Sequence, residues 1–188
     1  MHYYLSANAA KDLGVSNFTS ASEEHAEFSQ HWYAHRVLIE RRKCFIAMES
    51  QTRYALIFCG VTKPVLNKFP LLFADRLWRH IVSLCEVADS DFEHIKQMAT
   101  NLCSDITLHK GLNKSIQAHI KDVAHQLEWD LSRYGFPDDP GQEFYLCLKA
   151  NQTPRTRYGE KGFILPIEEF QRLWCEILGV APAKNERR

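Results

Sequence analysis

The feature of this sequence that most restricts its fold is a switch to period two at Trp32. Tyr33, His35, Val37 and Ile39 alternate with their neighbours, as do Cys44, Ile46 and Met48, and then Tyr54, Leu56 and Phe58. Alternation at every second residue places each set on one face of an extended strand. The links "ERR" (40–42) and "ESQ" (49–51) are too short for a crossover helix, so the three strands are expected to form an antiparallel meander. Neither link contains Asn-Gly or Asp-Gly, and the register at each turn stays open.

Around this meander the remaining elements follow from punctuation. "HYYLS" (2–6) reads as a strand, and Ser6 is placed to cap a short helix that Gly14 ends. Residues 15–30 are polar without period and read as a surface connection, and "GVTKPVLNKF" (60–69) reads as a loop. Pro70 opens a helix striped by Phe73, Leu77, Ile81 and Leu84, and Ser90 with Glu93 has the spacing of a capping box for the next. "DITLH" (105–109) and "EFYLCLKA" (143–150) read as strands. From Asn113 to Tyr134, Ile116, Ile120, Val123, Leu127 and Leu131 recur every three or four residues, the stripe of an amphipathic helix. Pro166 and Gly179 bracket a last helix. The expectation is one α+β domain over residues 1–180, a mainly antiparallel sheet of about five strands with helices packed on it, and a frayed polar tail over 181–188.

Composition narrows the function classes. Lysine and arginine number 23 and aspartate and glutamate 23, so the whole chain has no electrostatic pull on nucleic acid or anionic lipid. The charge is nevertheless uneven: residues 31–63 hold six bases (Arg36, Arg41, Arg42, Lys43, Arg53, Lys63) against two acids. No apolar run approaches the roughly 20 residues of a membrane span, and no leader pattern opens the chain, so no membrane role and a cytoplasmic location are expected. The six cysteines form no C-x-x-C pair and read as reduced structural thiols. No G-x-S-x-G elbow is present, and neither His31 with His35 nor His119 with His125 has a zinc spacing; no metal and no cofactor are expected.

Three polar clusters are the candidate ligand-binding residues. The first is Arg41, Arg42 and Lys43 between two strands. The second is Asn113, Lys114 and Ser115 at the start of the longest helix, where free backbone N–H groups and a lysine can hold an anion. A plain helix cap is the simpler explanation of Asn113 or Ser115. The third is the loop "NQTPRTRYGEKG" (151–162), with Asn151, Thr153, Arg155, Arg157 and Lys161, where an asparagine and two guanidinium groups suit phosphate or carboxylate and a solvated loop needing Asn and Pro for its turns fits equally well. No catalytic residue is assigned.

The blocks "YYLSANAAKDLGV", "WYAHRVLIERRKCFIAMESQTRYALIF", "GLNKSIQAHIKDVAHQLEW" and "LCLKANQTPRTRYGEKGFILPIEEF", in this order, resemble a family of small bacterial cytoplasmic proteins catalogued only as a domain of unknown function. The resemblance spans roughly Tyr3 to Leu173 and is most specific at "ERRKC", "NKS" and "NQTP". It implies no activity or ligand, and it adds Pro154 to the positions of interest. The leading functional expectation is a binding domain for an anionic partner, RNA and DNA included, through the Lys/Arg/Asn clusters. The alternatives are a protein-interaction module that partners a neighbouring gene product, and a metal-independent phosphate-handling enzyme.

Overall fold

The computed structural model describes residues 1–19, 30–157 and 159–183. Strands β1 (His2–Leu5), β2 (His31–Ile39), β3 (Arg42–Glu49), β4 (Ala55–Phe58) and β5 (Thr107–Lys110) form one sheet in the order β4-β3-β2-β1-β5. The helices are α1 (Ala7–Leu13), α2 (Lys63–Leu66), α3 (Phe69–Leu84), α4 (Phe92–Ser104), α5 (Lys114–Tyr134), α6 (Pro140–Asn151) and α7 (Pro166–Leu178).

The meander forms as expected, with β2–β3 and β3–β4 antiparallel. Ile39 pairs with Arg42, leaving Glu40 and Arg41 as a two-residue loop with φ of 47° and 65°. Positive φ at both positions is the type I′ geometry, whose twist matches that of the strands, here adopted without glycine or asparagine.

The sheet is mixed, not mainly antiparallel: β1 runs parallel to β2 on one side and to β5 on the other. Periodicity reports which face a residue occupies and is blind to strand direction. Direction here is set by long connections, because the chain passes through α1 between β1 and β2 and through α2, α3 and α4 before β5. Of the connection read over 15–30, residues 20–29 lie outside the described residues.

Both faces of the sheet are covered. On one, Trp32, Phe45 and Phe58 pack with Phe73 and Leu77 of α3 and Phe170 and Trp174 of α7. On the other, Ile46, Met48 and Ile57 meet Ile120, Val123 and Leu127 of α5. The α5 stripe is therefore buried as its spacing predicts, under a cap in which Asn113 Oδ1 accepts from Ile116 N at 3.1 Å. Ser6 and Gly14 likewise bound α1 as expected.

Three local expectations fail. Residues within the expected loop 60–69 form α2. Ser90 does not close a capping box; its hydroxyl bonds the Asp91 side chain at 3.3 Å, and a 3-10 turn over Asp89–Asp91 leads into α4. The third is "EFYLCLKA", which lies in helix α6, not a strand: Asp139 Oδ1 accepts from Gly141 N at 2.7 Å and Gln142 N at 2.9 Å, and Pro140 stands at the favoured start.

The position of α6 explains its strand-like composition. It runs along the outer edge of β4, and Glu143, Cys147 and Asn151 bond that edge at Cys59 N, Ile57 N and the Ala55 backbone. Four helical residues advance about 6.0 Å and two strand residues about 6.6 Å, so the two ladders stay in step. An edge that would otherwise recruit another strand is thereby closed. With the sheet edge on one side and both layers beside it, α6 needs apolar residues around most of its circumference.

Beyond α7, Ala183 N donates to Leu84 O at 3.0 Å and Glu86 N to Ala181 O at 2.8 Å, so residues 181–183 of the expected tail are bonded to the end of α3. Residues 184–188 lie outside the described residues.

Candidate anion-binding site

The β3–β4 turn is built around the buried carboxylate of Glu49. It accepts from Gln51 N (2.9 Å), Thr52 N (2.6 Å), the Thr52 hydroxyl (2.8 Å) and the Ser50 hydroxyl (3.2 Å). These bonds pull the chain so tightly that the next residue, Arg53, takes a left-handed φ of 60°. Such a conformation costs a non-glycine residue on the order of 1 kcal/mol or more.

Arg53 is 6% exposed. Its guanidinium donates to Ser50 O, its Nε has no hydrogen-bond partner, and among the described residues no carboxylate lies within 4.0 Å of it. Burial depresses its pKa, and the Arg157 cation adds to that against the opposing charge of Glu49. Burying a cation without a partner is unfavourable unless something else supplies the negative charge.

Arg53 lines a cleft of about 550 Å³ between this turn, Arg157 and Glu160 on the loop after α6, and Glu169, Arg172 and Glu176 on α7. Arg157 is held by Glu169 and by Glu160 at 3.2 Å, and Arg172 bonds Glu169 at 2.7 Å. Arg157 also keeps a buried Nε without a partner. The rim is thus organised by ion pairs, whereas the deeper Arg53 has none among the described residues.

The sequence-derived clusters separate in space. Arg155 is 4% exposed and spans from Arg53 O to Ala150 O (2.9 Å for the latter), which ties the third cluster to the back of the Arg53 turn. Burial lowers its pKa to about 10. Asn151 is fully buried, and its amide is occupied by Ala55 N, Ala55 O and Cys147 O at 2.7 to 2.8 Å. Asn113 caps α5, and exposed Lys114 and half-buried Ser115 follow it. His119, one turn further, bonds Thr156 O at 2.9 Å.

The first cluster stands apart from the other two. Arg41–Lys43 lie at the start of β3 and Arg53 lies past its other end, and the eight residues of the strand span about 23 Å. The alternation of the strand also divides the cluster. Lys43 faces α1 and pairs with Asp12 at 2.7 Å, which also holds Arg36 at 2.9 Å, while Arg42 lies over the Phe136 ring at 4.5 Å on the other side. Arg41 is exposed in the turn.

Arg53 is one of the six bases of residues 31–63 and belongs to none of the three candidate clusters. Nothing in "SQTRY" signals burial or positive φ. The one available hint is its place in the link of a meander.

His2 and His109 bond each other at 2.9 Å across β1 and β5, and among the described residues no group of three or more His, Cys, Asp or Glu could hold a metal ion. No described helix is long and apolar enough to cross a membrane.

No curated protein matches the chain. The family model for a domain of unknown function, DUF6933, matches residues 3–169, which takes in the sheet from the second residue of β1 onward, the Arg53 turn and the start of α7. The chain belongs to the DUF6933 family.

Proposed function

We propose that the protein is a binding domain for an anionic ligand, seated in the cleft against the guanidinium of Arg53 with Arg157 and Arg172 at the rim. The observation that carries this reading is Arg53 itself: a cation 6% exposed, in a left-handed backbone, with no carboxylate within 4.0 Å among the described residues. Glu49 and Glu160 act on it only from a distance, whereas a phosphate or carboxylate would pair with it directly, and a guanidinium presents donors in the geometry that both accept.

The acids of the cleft shape the ligand. Glu160, Glu169 and Glu176 offset the three arginines, so the wall as a whole is neutral. That balance favours one anionic group entering at Arg53 over a long polyanion laid along the surface, and an isolated phosphate at the end of a nucleic-acid strand is compatible with it.

Calorimetric titration tests this with inorganic phosphate, adenosine monophosphate and a short single-stranded oligonucleotide as probes. At least one probe is expected to bind with an affinity that falls as salt rises. Arg53→Asn, in which asparagine tolerates positive φ, is expected to weaken that binding at least about tenfold, as for a lost charge-assisted bond. Lys114→Ala is expected to leave it unchanged. Absence of binding in the parent protein, or binding that survives Arg53→Asn, overturns the reading.

A further inference from the structure

The sulfurs of Cys85 and Cys175 lie 3.1 Å apart, although the residues are separated by 90 positions. Cys85 caps the end of α3 and Cys175 sits on the last turns of α7, both buried. The same junction is held by Gln171, whose amide donates to Leu84 O at 2.6 Å and Ala183 O at 3.2 Å, and by an isolated antiparallel bridge between Cys85 and Pro182. The two thiols therefore meet at a backbone junction that is already fixed, and no large movement is needed to bring the sulfurs to bonding distance.

We infer that Cys85 and Cys175 are a site of reversible oxidation, at which a peroxide joins α3 to α7 through a disulfide. In the first step one sulfur, as thiolate, attacks a peroxide oxygen. The O–O bond breaks, the departing hydroxide takes up the thiol proton as water, and a sulfenic acid is left. The second sulfur then attacks the first; the S–S bond forms, and the sulfenic hydroxyl leaves with the second thiol proton as another water. Two thiols are oxidised and one peroxide is reduced. Burial, with the neighbouring thiol adding to it, holds the Cys85 thiol above its ordinary pKa, so the reaction is slow and draws its selectivity from proximity.

The consequence reaches the cleft. Glu169, Arg172 and Glu176, which form one wall of it, lie on the helix that the cross-link would anchor. Closing a loop of this size restricts the unfolded chain and raises the melting temperature, by on the order of 10 °C for a chain of this length.

The test is peptide mapping of the folded protein before and after hours in dilute hydrogen peroxide. The expected product is lighter by two hydrogen atoms, releases residues 80–96 joined to residues 173–184 on tryptic digestion, melts at a higher temperature, and returns to the starting mass with dithiothreitol. Cys44 and Cys59, each next to the Phe45–Phe58 pair of β3 and β4, are the internal comparison. A cross-link that omits Cys85 and Cys175, stepwise oxygen addition at either sulfur, or the same loss of hydrogen in Cys175→Ser overturns the proposal. Cys175→Ala serves as a second variant should the serine hydroxyl disturb the packing.

Discussion

Asn151 of α6 bonds both backbone groups of one strand residue: its Oδ1 accepts from Ala55 N at 2.7 Å, and its Nδ2 donates to Ala55 O at 2.8 Å. A side-chain amide thus takes the place that a neighbouring strand would fill at the β4 edge. Replacing it by leucine, similar in size but without polar atoms, leaves a buried donor and acceptor unpaired. Such groups cost about 1–3 kcal/mol each. Asn151→Leu is expected to lower unfolding stability by about 3 kcal/mol, read as a fall in the urea midpoint with an unchanged slope.

His80 is fully buried and bonded to the Tyr54 hydroxyl at 2.7 Å, and burial, with the nearby Arg76 cation, lowers its pKa to about 3. In the unfolded chain a histidine titrates near 6.5. Between these values the unfolded state binds the extra proton, so stability falls as pH drops from about 6.5 toward 3. The steepest slope is about 1.4 kcal/mol per pH unit. His80→Gln, which can still bond Tyr54, is expected to flatten the stability profile between about pH 6 and pH 4, as measured by urea unfolding across that range. An unchanged profile would assign the acid sensitivity to other histidines.

These residues mark the limits of what could be read from the sequence. Period two placed Cys44, Ile46 and Met48 on a common face correctly, and it implies that Arg42 and Lys43 point to opposite sides, so the division of the basic cluster was legible in principle. Strand direction was not, because parallel and antiparallel strands share one side-chain period. Helix α6 reads as a strand in the sequence because Leu148 faces one core while Leu146, Cys147 and Ala150 face the other, which erases the amphipathic stripe. Arg53 escaped notice because its burial and positive φ arise from bonds that the Glu49 carboxylate makes to residues 50–52, a turn formed by a side chain without glycine or asparagine.

The Glu40–Arg41 turn provides a test that separates the basic cluster from the cleft. Both residues hold positive φ, the conformation in which Asn-Gly is preferred in a type I′ turn. Glu40→Asn with Arg41→Gly is expected to raise unfolding stability by about 1 kcal/mol through relief of backbone strain. It removes one of the three bases of the first cluster, Arg41, yet phosphate affinity is expected to stay within twofold or so of the parent, since the turn lies about 23 Å from Arg53 along β3. A marked loss of affinity would return Arg41 to the binding surface.

Arg155 supports the floor of the cleft from behind, by donating to Arg53 O and to Ala150 O. A lysine keeps the charge but carries a single nitrogen on a flexible stem and cannot span two carbonyls in the planar geometry of a guanidinium. Arg155→Lys is therefore expected to lower stability by about 2 kcal/mol, through one unpaired buried carbonyl and a poorly solvated ammonium. Because the lost bond releases the backbone of Arg53, phosphate affinity should fall in the same variant while the pH profile set by His80 stays as in the parent. Denaturation and calorimetry on one sample decide the matter: reduced stability with unaltered affinity would show that the Arg53 turn holds its shape without Arg155.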